Sequence, residues 1–229
     1  MTPHHKTFKS VFFTLFFASF LSAQPAIRLN NTLFTLGAIY HGEVKTVPLI
    51  VRNTGTQPLN ILGVETSCGC TSAKRSVNAI APGTEDTITV SFNSLGFSGS
   101  ITKIVTVRSN DPVQPQVEAR LTGTVTTLLE TIPPMQMINL GTSHTGTSTT
   151  VSFLFRNTTS DQITIRNIVS VDTTIRMMFR SGTVAPHDSI TIPFIFTPSS
   201  STFVENYFYI ETTDSRQPRI PFRFMYIGR

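Results

Sequence analysis

The sequence repeats its own landmarks at an interval of about 104 residues, and this repeat constrains the fold more than any other feature. Gly37 and Gly141 both follow a leucine, and they are 141 − 37 = 104 positions apart. Asn53 and Asn157 both stand in an Arg-Asn-Thr triplet, and the same interval separates them. An interval of this length corresponds to a whole domain rather than to one unit of a solenoid. The sequence therefore predicts two copies of one domain.

Apolar and polar residues alternate with period two in short runs throughout both halves. Val47, Leu49 and Val51 form one such run, and residues 190–196 form another. This alternation is typical of half-buried strands, and no helical stripe is found after residue 24. We predict an all-β protein of two tandem seven-stranded immunoglobulin-like β-sandwiches, with domains at residues 24–127 and 128–229.

The N-terminus has the organisation of a secretory signal peptide. Lys6 and Lys9 precede an apolar run at residues 11–21, and the small residues Ser22 and Ala23 follow it. The apolar run is too short to cross a bilayer as a helix. We therefore expect residues 1–23 to be a signal peptide, with export to the periplasm or cell surface and no membrane insertion after cleavage.

The charge pattern argues against nucleic acid as a partner. The whole chain has a formal charge of +5, and loss of Lys6 and Lys9 with the signal peptide leaves 16 − 13 = +3. The basic residues are scattered among acidic ones, whereas a nucleic-acid-binding surface concentrates them in a stripe. With only two cysteines in the chain, the fold depends on its apolar core rather than on disulfides.

The two cysteines lie in a single Cys68-Gly69-Cys70 sequence that the second copy lacks. At the repeat interval, Asp172-Thr173-Thr174 stands in its place. Gly69 permits a turn that brings the cysteines together. Three states are open: a disulfide, two free thiols, or a soft metal clamp of the kind that suits Cu(I). Two thiolates are too few for a closed zinc site.

No convergent set of acids, bases and nucleophiles is evident in the sequence, so we expect no enzymatic activity and no cofactor. His41, His144 and His187 lie in turn-like stretches of separate segments. Four methionines are potential soft ligands beside the thiols, but packing in the core or at an edge is the usual role of such residues. They are Met135, Met137, Met177 and Met178.

Three short triplets are candidate O-glycosylation sites. Each has an aspartate followed by serine or threonine, and they look like a sequon that some Gram-negative bacteria use on exported proteins. The candidate acceptors are Thr87, Thr173 and Ser189.

An ordered set of motifs in the first half resembles the exported bacterial family called domain of unknown function 1573. The set covers about residues 27–125 and runs as Phe34-Thr35-Leu36-Gly37, Gly42, Val51-Arg52-Asn53-Thr54-Gly55, Leu59-Asn60-Ile61, Ser67-Cys68-Gly69-Cys70-Thr71, Pro82-Gly83 and Ser109-Asn110-Asp111. The wider resemblance, to Hydin-type and PapD-like immunoglobulin folds, extends to a diverged second copy. The family implies a seven-stranded sandwich in a bacterial envelope protein and implies no catalytic residues.

Taken together, these features predict a non-catalytic exported bacterial envelope protein that acts as a binding or scaffolding module. The expected partner is a protein or an envelope polymer, bound by strand edges or by loops at one end of a sandwich. The alternative is an accessory thiol-redox or Cu(I)-handling protein that uses Cys68 and Cys70.

Overall fold

The computed structural model describes residues 23–75 and 78–229, and all regular structure in this part of the chain is β-strand. The predicted all-β class is therefore confirmed. Of the predicted signal peptide, only Ala23 lies within the described residues. The described segments contain no helix of the length and apolar character that a membrane span requires.

The strands of the first half pair only with one another among the pairings that the structure describes. They form a four-stranded sheet, β1-β3-β7-β5, and a five-stranded sheet, β2-β9-β8-β4-β6. The strands are β1 (Ile27–Leu29), β2 (Leu33–Tyr40), β3 (Val44–Asn53), β4 (Leu59–Thr66), β5 (Thr71–Arg75), β6 (Ala79–Ile80), β7 (Glu85–Asn93), β8 (Gly99–Ser109) and β9 (Gln116–Thr126).

The second half repeats the same two sheets in the same order. Its sheets are β10-β12-β16-β14 and β11-β18-β17-β13-β15. The strands are β10 (Leu129–Ile132), β11 (Ile138–Ser143), β12 (Thr149–Asn157), β13 (Ile163–Ser170), β14 (Ile175–Met177), β15 (Gly182–Val184), β16 (Ser189–Phe196), β17 (Phe203–Thr212) and β18 (Arg219–Gly228).

The predicted count of seven strands for each sandwich is wrong, because each half has nine within the described residues. The first strand of each copy divides and changes sheets. β1 pairs antiparallel with β3, whereas β2 pairs parallel with β9. In the second copy Pro133 and Pro134 lie at the break, where the missing N–H groups prevent a continuous ladder. The short strands β6 and β15 supply the ninth strand of each half.

The repeated Leu-Gly landmark marks a bulge in an edge strand. The register of β2 against β9 shifts between Thr35 and Ala38, and Gly37 lies inside the shift with φ +69°. The register of β11 against β18 shifts in the same way around Gly141, where φ is +91°. Glycine is favoured at both positions because side chains with a Cβ rarely adopt a positive φ.

The repeated Arg-Asn-Thr landmark places a fully buried amide in each sandwich. Asn53 Nδ2 donates to the carbonyls of Gln57 and Ile80 at 2.7 and 2.9 Å, and Asn53 Oδ1 accepts the N–H of Gly55 at 2.9 Å. Asn157 is buried in the same way and makes the matching bonds in the second copy. Each amide satisfies backbone groups of two loops that would otherwise be buried without partners.

The two cores use different side chains on the same frame. The main core of the first sandwich is aliphatic, and Val51 and Val90 are typical members. The corresponding positions in the second sandwich hold Phe155 and Phe194, whose ring centroids are 6.4 Å apart. Each half thus has its own apolar core, and Tyr40 is the first-half side chain that packs against the second core.

We predict that residues 24–127 and 128–229 each fold when expressed alone, since the described pairings and cores lie within each half. Both fragments are expected to give β-type circular dichroism and a cooperative thermal transition. The second fragment should melt at a lower temperature than the intact chain, because it loses the contact with Tyr40. An unfolded fragment would show that the two halves are one folding unit.

Candidate binding cleft between the two sandwiches

A single glutamine side chain joins the two sandwiches at the short connection between them. Gln217 is 3% exposed and lies in the loop between β17 and β18. Its Nε2 donates to the carbonyl of His41 at 2.8 Å, and its Oε1 accepts the N–H of Leu128 at 2.8 Å. The amide therefore binds the first sandwich, the connection and the second sandwich at one point.

The backbone of the first sandwich closely approaches the second at Gly42. This residue has φ +90°, and a Cβ placed on it would lie 2.7 Å from Cγ of Pro221. Gly146 occupies the corresponding turn of the second copy with φ +77°, and a Cβ there would meet nothing within 4 Å. The first turn therefore requires glycine for two reasons, backbone conformation and interdomain contact, and the second turn for backbone conformation alone.

A cavity of about 540 Å³ opens beside these contacts, and both sandwiches line it. The side chains that give it an apolar character are Phe97, Val125, Leu129, Met135, Ile138 and Phe222. Polar groups at its rim include His41, Gln136 and Arg223. Its accessible lining is only slightly more apolar than polar, and concave sites of this size are typical of ligand-binding pockets. We call this cavity the cleft.

A smaller cavity of about 210 Å³ connects this region with the cysteine loop. Gly69 and Cys70 line it together with His41, Gln136 and Arg223, which also line the cleft. Cys70 packs against a small apolar cluster that includes Phe92 and Val125. The cysteine loop therefore lies at one end of the candidate site and forms part of its wall.

The structure joins Cys68 and Cys70 in a disulfide, with a Cα–Cα distance of 5.3 Å. The loop lies between β4 and β5, and both cysteines are half-buried. Thr66 Oγ1 supports it, at 3.0 Å from the carbonyl of Cys68 and 2.9 Å from that of Thr71. In this state neither sulfur is a thiolate, the form that a nucleophile or a Cu(I) ligand requires.

The second copy builds the same loop with hydrogen bonds instead of the disulfide. Asp172 Oδ1, at the position of Cys68, accepts from Thr174 N–H at 2.9 Å and from Thr174 Oγ1 at 2.6 Å. The backbone bonds also match. Ile175 N–H donates to Asp172 O at 3.2 Å, as Thr71 N–H does to Cys68 O. The loop conformation therefore belongs to the shared fold rather than to the disulfide.

His41 is fixed in the wall between the cleft and the smaller cavity. Its ring Nε2 accepts the N–H of Gly96 at 3.0 Å, and its backbone N–H donates to the carbonyl of Thr126 at 2.7 Å. Burial lowers the pKa of His41 below its usual value of 6.5, although a hydrogen bond with the Pro221 backbone acts in the opposite direction. The imidazole is therefore held in its neutral form.

Each charged side chain that lines the cleft is paired with a charge outside its lining. Arg223 Nε donates to Glu205 at 2.6 Å, and Glu130 pairs with Arg156. The Lys103 ammonium lies 4.0 Å from the ring centroid of Phe97 in a cation–π contact. These pairings neutralise the charges at the cleft.

An ion-pair network stabilises the loop that carries Gln217. Arg216 binds Asp214 and also Asp161, with closest distances of 2.6 and 2.9 Å. The hydrogen bond and the charge of Arg216 hold the pKa of Asp214 below its usual value of 3.8, although burial acts against this shift. Because the aspartate stays ionised over the ordinary pH range, the pairing that shapes this loop persists there.

The other histidines and methionines named from the sequence do not converge on one site. His144 and His187 are exposed in turns of the second sandwich, and His187 has φ +59° where the first copy has Gly83. Met135 lines the cleft, Met177 packs against the second core, and Met178 is 50% exposed. Within residues 23–75 and 78–229, no group of three His, Cys, Asp or Glu side chains is arranged to hold a metal ion.

The three candidate glycosylation residues occupy different environments. Thr87 lies on β7, where it pairs with Ile50, and Ser189 lies on β16, where it pairs with Arg156. Thr173 is exposed in the loop before β14. Modification at these positions stays a prediction, and Thr173 has the most accessible side chain of the three.

The sequence did not single out Gln217, Phe97 or the interdomain role of His41 and Gly42. Each acts through a contact between the two copies, and a pattern of strands within one copy carries no information about that contact. The repeat itself gives no signal of these contacts. Gly42 and Gly146 stand at matching positions, but a proline approaches only the first.

We predict that the double substitution C68S/C70S leaves the first sandwich folded and costs at most about 1–2 kcal/mol of unfolding free energy, because a ring this short restricts the unfolded chain little. The double substitution C68D/C70T introduces the hydrogen-bonding pair of the second copy. It should recover part of that loss. Chemical denaturation of all three proteins measures the difference.

In the second copy, D172A removes the acceptor of Thr174 and serves as the control for that hydrogen bond. Failure of the C68S/C70S protein to fold would contradict the view that the loop conformation is independent of the disulfide.

Several solved structures resemble this chain at low sequence identity. A protein of unknown function from Porphyromonas gingivalis W83 is 10% identical over 88% of this chain and 99% of that chain, with a TM-score of 0.38. The YadV chaperone is 14% identical over 87% and 98%, with a TM-score of 0.35. The CupB2 chaperone of Pseudomonas aeruginosa is 12% identical over 86% and 98%, with a TM-score of 0.34.

No curated protein matches the chain. A family model matches the first half of the chain, which holds the cysteine loop, the Gly42 turn and His41. The match covers residues 27–125 and confirms the resemblance inferred from the motifs, since the family is described as a protein of unknown function, DUF1573.

Proposed function

We propose that this protein is a non-catalytic, exported bacterial envelope protein that binds a protein or an envelope polymer in the cleft between its two sandwiches. The observation that carries the proposal is the cavity of about 540 Å³ to which both sandwiches contribute. Its volume lies within the range of ligand pockets, and its lining combines apolar and polar groups. A partner segment that combines an apolar body with polar groups fits this lining best.

The contacts between the sandwiches suit a preformed site. The Gln217 amide bridges both sandwiches, and the Gly42 turn lies against Pro221. A site that is already assembled before binding loses less conformational entropy when the ligand enters. The proposed role therefore agrees with a rigid receptor rather than with a hinge that closes around its ligand.

A binding role also fits the chemistry of the residues at the cleft. The ring Nε2 of His41 is occupied by a backbone N–H, and Arg223 and Glu130 are paired with neighbouring charges. General acid–base catalysis needs a group that reaches the substrate with a free proton or lone pair. These side chains instead stabilise the wall of the cavity.

Export is supported by the N-terminal sequence and agrees with the disulfide, because disulfides persist mainly in oxidising compartments. Handling of Cu(I) requires thiolates, and the structure holds both sulfurs in the Cys68–Cys70 bond. A thiol-redox role would use this same bond as its oxidised form, whereas the cleft beside the loop favours binding. We therefore retain the binding role in the periplasm or at the cell surface as the proposed function.

The binding proposal predicts that a bulky side chain at the rim of the cleft blocks the partner. Ser98 is exposed and lines the cleft, so S98W should greatly reduce capture of the partner from an envelope extract. The matched control is T202W, at the corresponding exposed position of the second copy. Quantitative mass spectrometry of captured material measures both effects. Equal capture by wild type and S98W would contradict binding in the cleft.

The export proposal predicts a mature N-terminus at or near Gln24. Intact-mass measurement of protein recovered from the envelope fraction should show loss of residues 1–23. Recovery of chains that begin at Met1, from the cytoplasmic fraction alone, would contradict export.

A further inference from the structure

The wall of the cleft is closed by one hydrogen bond that requires a neutral imidazole. His41 Nε2 lies 3.0 Å from the backbone nitrogen of Gly96, which donates its proton to the ring. A nitrogen that accepts a hydrogen bond carries no proton of its own. The bond therefore exists only while Nε2 is unprotonated.

The residue that this bond holds is the tip of an exposed turn. Residues 96–99 line the cleft, and Gly96 has φ +80°. Ser94 anchors the base of the turn, since its Oγ lies 2.9 Å from Tyr40 O and 2.8 Å from Glu43 O. The tip has the His41 bond in addition, so loss of that bond frees the tip while the base stays in place.

We propose that protonation of His41 releases the turn at residues 96–99 from the wall and thereby makes ligand binding in the cleft sensitive to pH. This inference rests on the proposed binding function. A proton on Nε2 would place two N–H donors opposite each other at the present distance. The hydrogen bond between the ring and the Pro221 backbone favours the charged imidazole and holds it in place. The turn must therefore move away from the ring, and Phe97 moves with the turn.

The backbone of His41 is held independently of the ring. Its N–H donates to Thr126 O, and its carbonyl accepts from Gln217. Protonation therefore acts on the side chain and the turn, while the joint between the sandwiches keeps its hydrogen bonds. We expect a local opening of the cleft wall and not a separation of the two sandwiches.

The charged groups near His41 come from both sandwiches, and each has a partner. On its own hairpin Glu43 pairs with Lys45 at 2.6 Å. On the second sandwich Arg223 pairs with Glu205, and Glu130 of β10 pairs with Arg156. Two tyrosines, Tyr40 and Tyr207, are also near, whereas the turn at residues 93–99 contains no titratable side chain.

The direction of the pH effect follows from the pKa of His41, which burial lowers in the closed structure. A histidine whose pKa is lower in the closed structure than in the open one stabilises the closed structure fully at pH values above its unperturbed pKa of about 6.5. This stabilisation is lost as the pH falls from about 6.5 towards the pKa of the closed structure. The turn is therefore held near neutral pH and released in acid.

The test is hydrogen exchange of the Gly96 amide in the intact mature protein without ligand, between about pH 7.5 and about pH 5. The Phe97 amide donates to the carbonyl of Ser94 within the turn at 3.1 Å and serves as an internal reference. In the wild type we expect the protection factor of the Gly96 amide to fall by up to about tenfold for each pH unit across the transition. In H41Q the amide oxygen still accepts a hydrogen bond but does not titrate, so protection should be independent of pH. H144Q, which alters an exposed histidine in the corresponding turn of the second copy, should behave as the wild type.

Constant protection in the wild type, or the same pH response in H41Q, would overturn the inference. Because this measurement uses no ligand, its result is separable from the binding proposal. Partner capture that S98W abolishes but pH does not affect would leave the binding function standing and remove the switch. A pH-dependent turn together with capture that is insensitive to S98W would support the switch in the wall and refute binding in the cleft.

Discussion

The bridge made by the Gln217 amide is the interaction on which the candidate site depends. Two β-sandwiches joined by a short connection have many possible orientations, and a cavity between them has a definite shape only if one orientation is preferred. Gln217 satisfies one backbone group from each side of the joint while almost fully buried. Removal of a buried amide with two backbone partners would leave both without hydrogen bonds, which costs about 1–3 kcal/mol for each group.

Comparison of the two copies separates what the fold requires from what the site requires. The buried asparagines, the bulged edge strands and the backbone of the cysteine loop occur in both copies, so they belong to the scaffold. The disulfide, the contact of Gly42 with Pro221 and the His41 bond to Gly96 involve the first copy and lie at the cleft or the smaller cavity beside it. Apart from the side chains of the two cores, these features that distinguish the copies lie near their junction.

Much of the scaffold could be predicted because it is encoded locally. Alternation of Val47, Leu49 and Val51 reports a strand with one buried face, and repeated glycines report positions where φ is positive. The split of the first strand was missed, since a change of sheet after Leu29 leaves the alternation almost intact. The cleft was missed for a different reason: it is formed by side chains more than a hundred residues apart, such as Phe97 and Phe222, that are brought together only when the two copies dock.

The cleft exists only if the two sandwiches keep a fixed orientation relative to each other. Residual dipolar couplings of the backbone amides in the intact mature protein measure this orientation, because they report the direction of each amide in a common frame. We predict that couplings from residues 27–126 and 129–228 fit one alignment tensor with the orientation of the present structure. Two tensors of different magnitude or direction would show that the sandwiches move independently and that the cleft has no lasting shape.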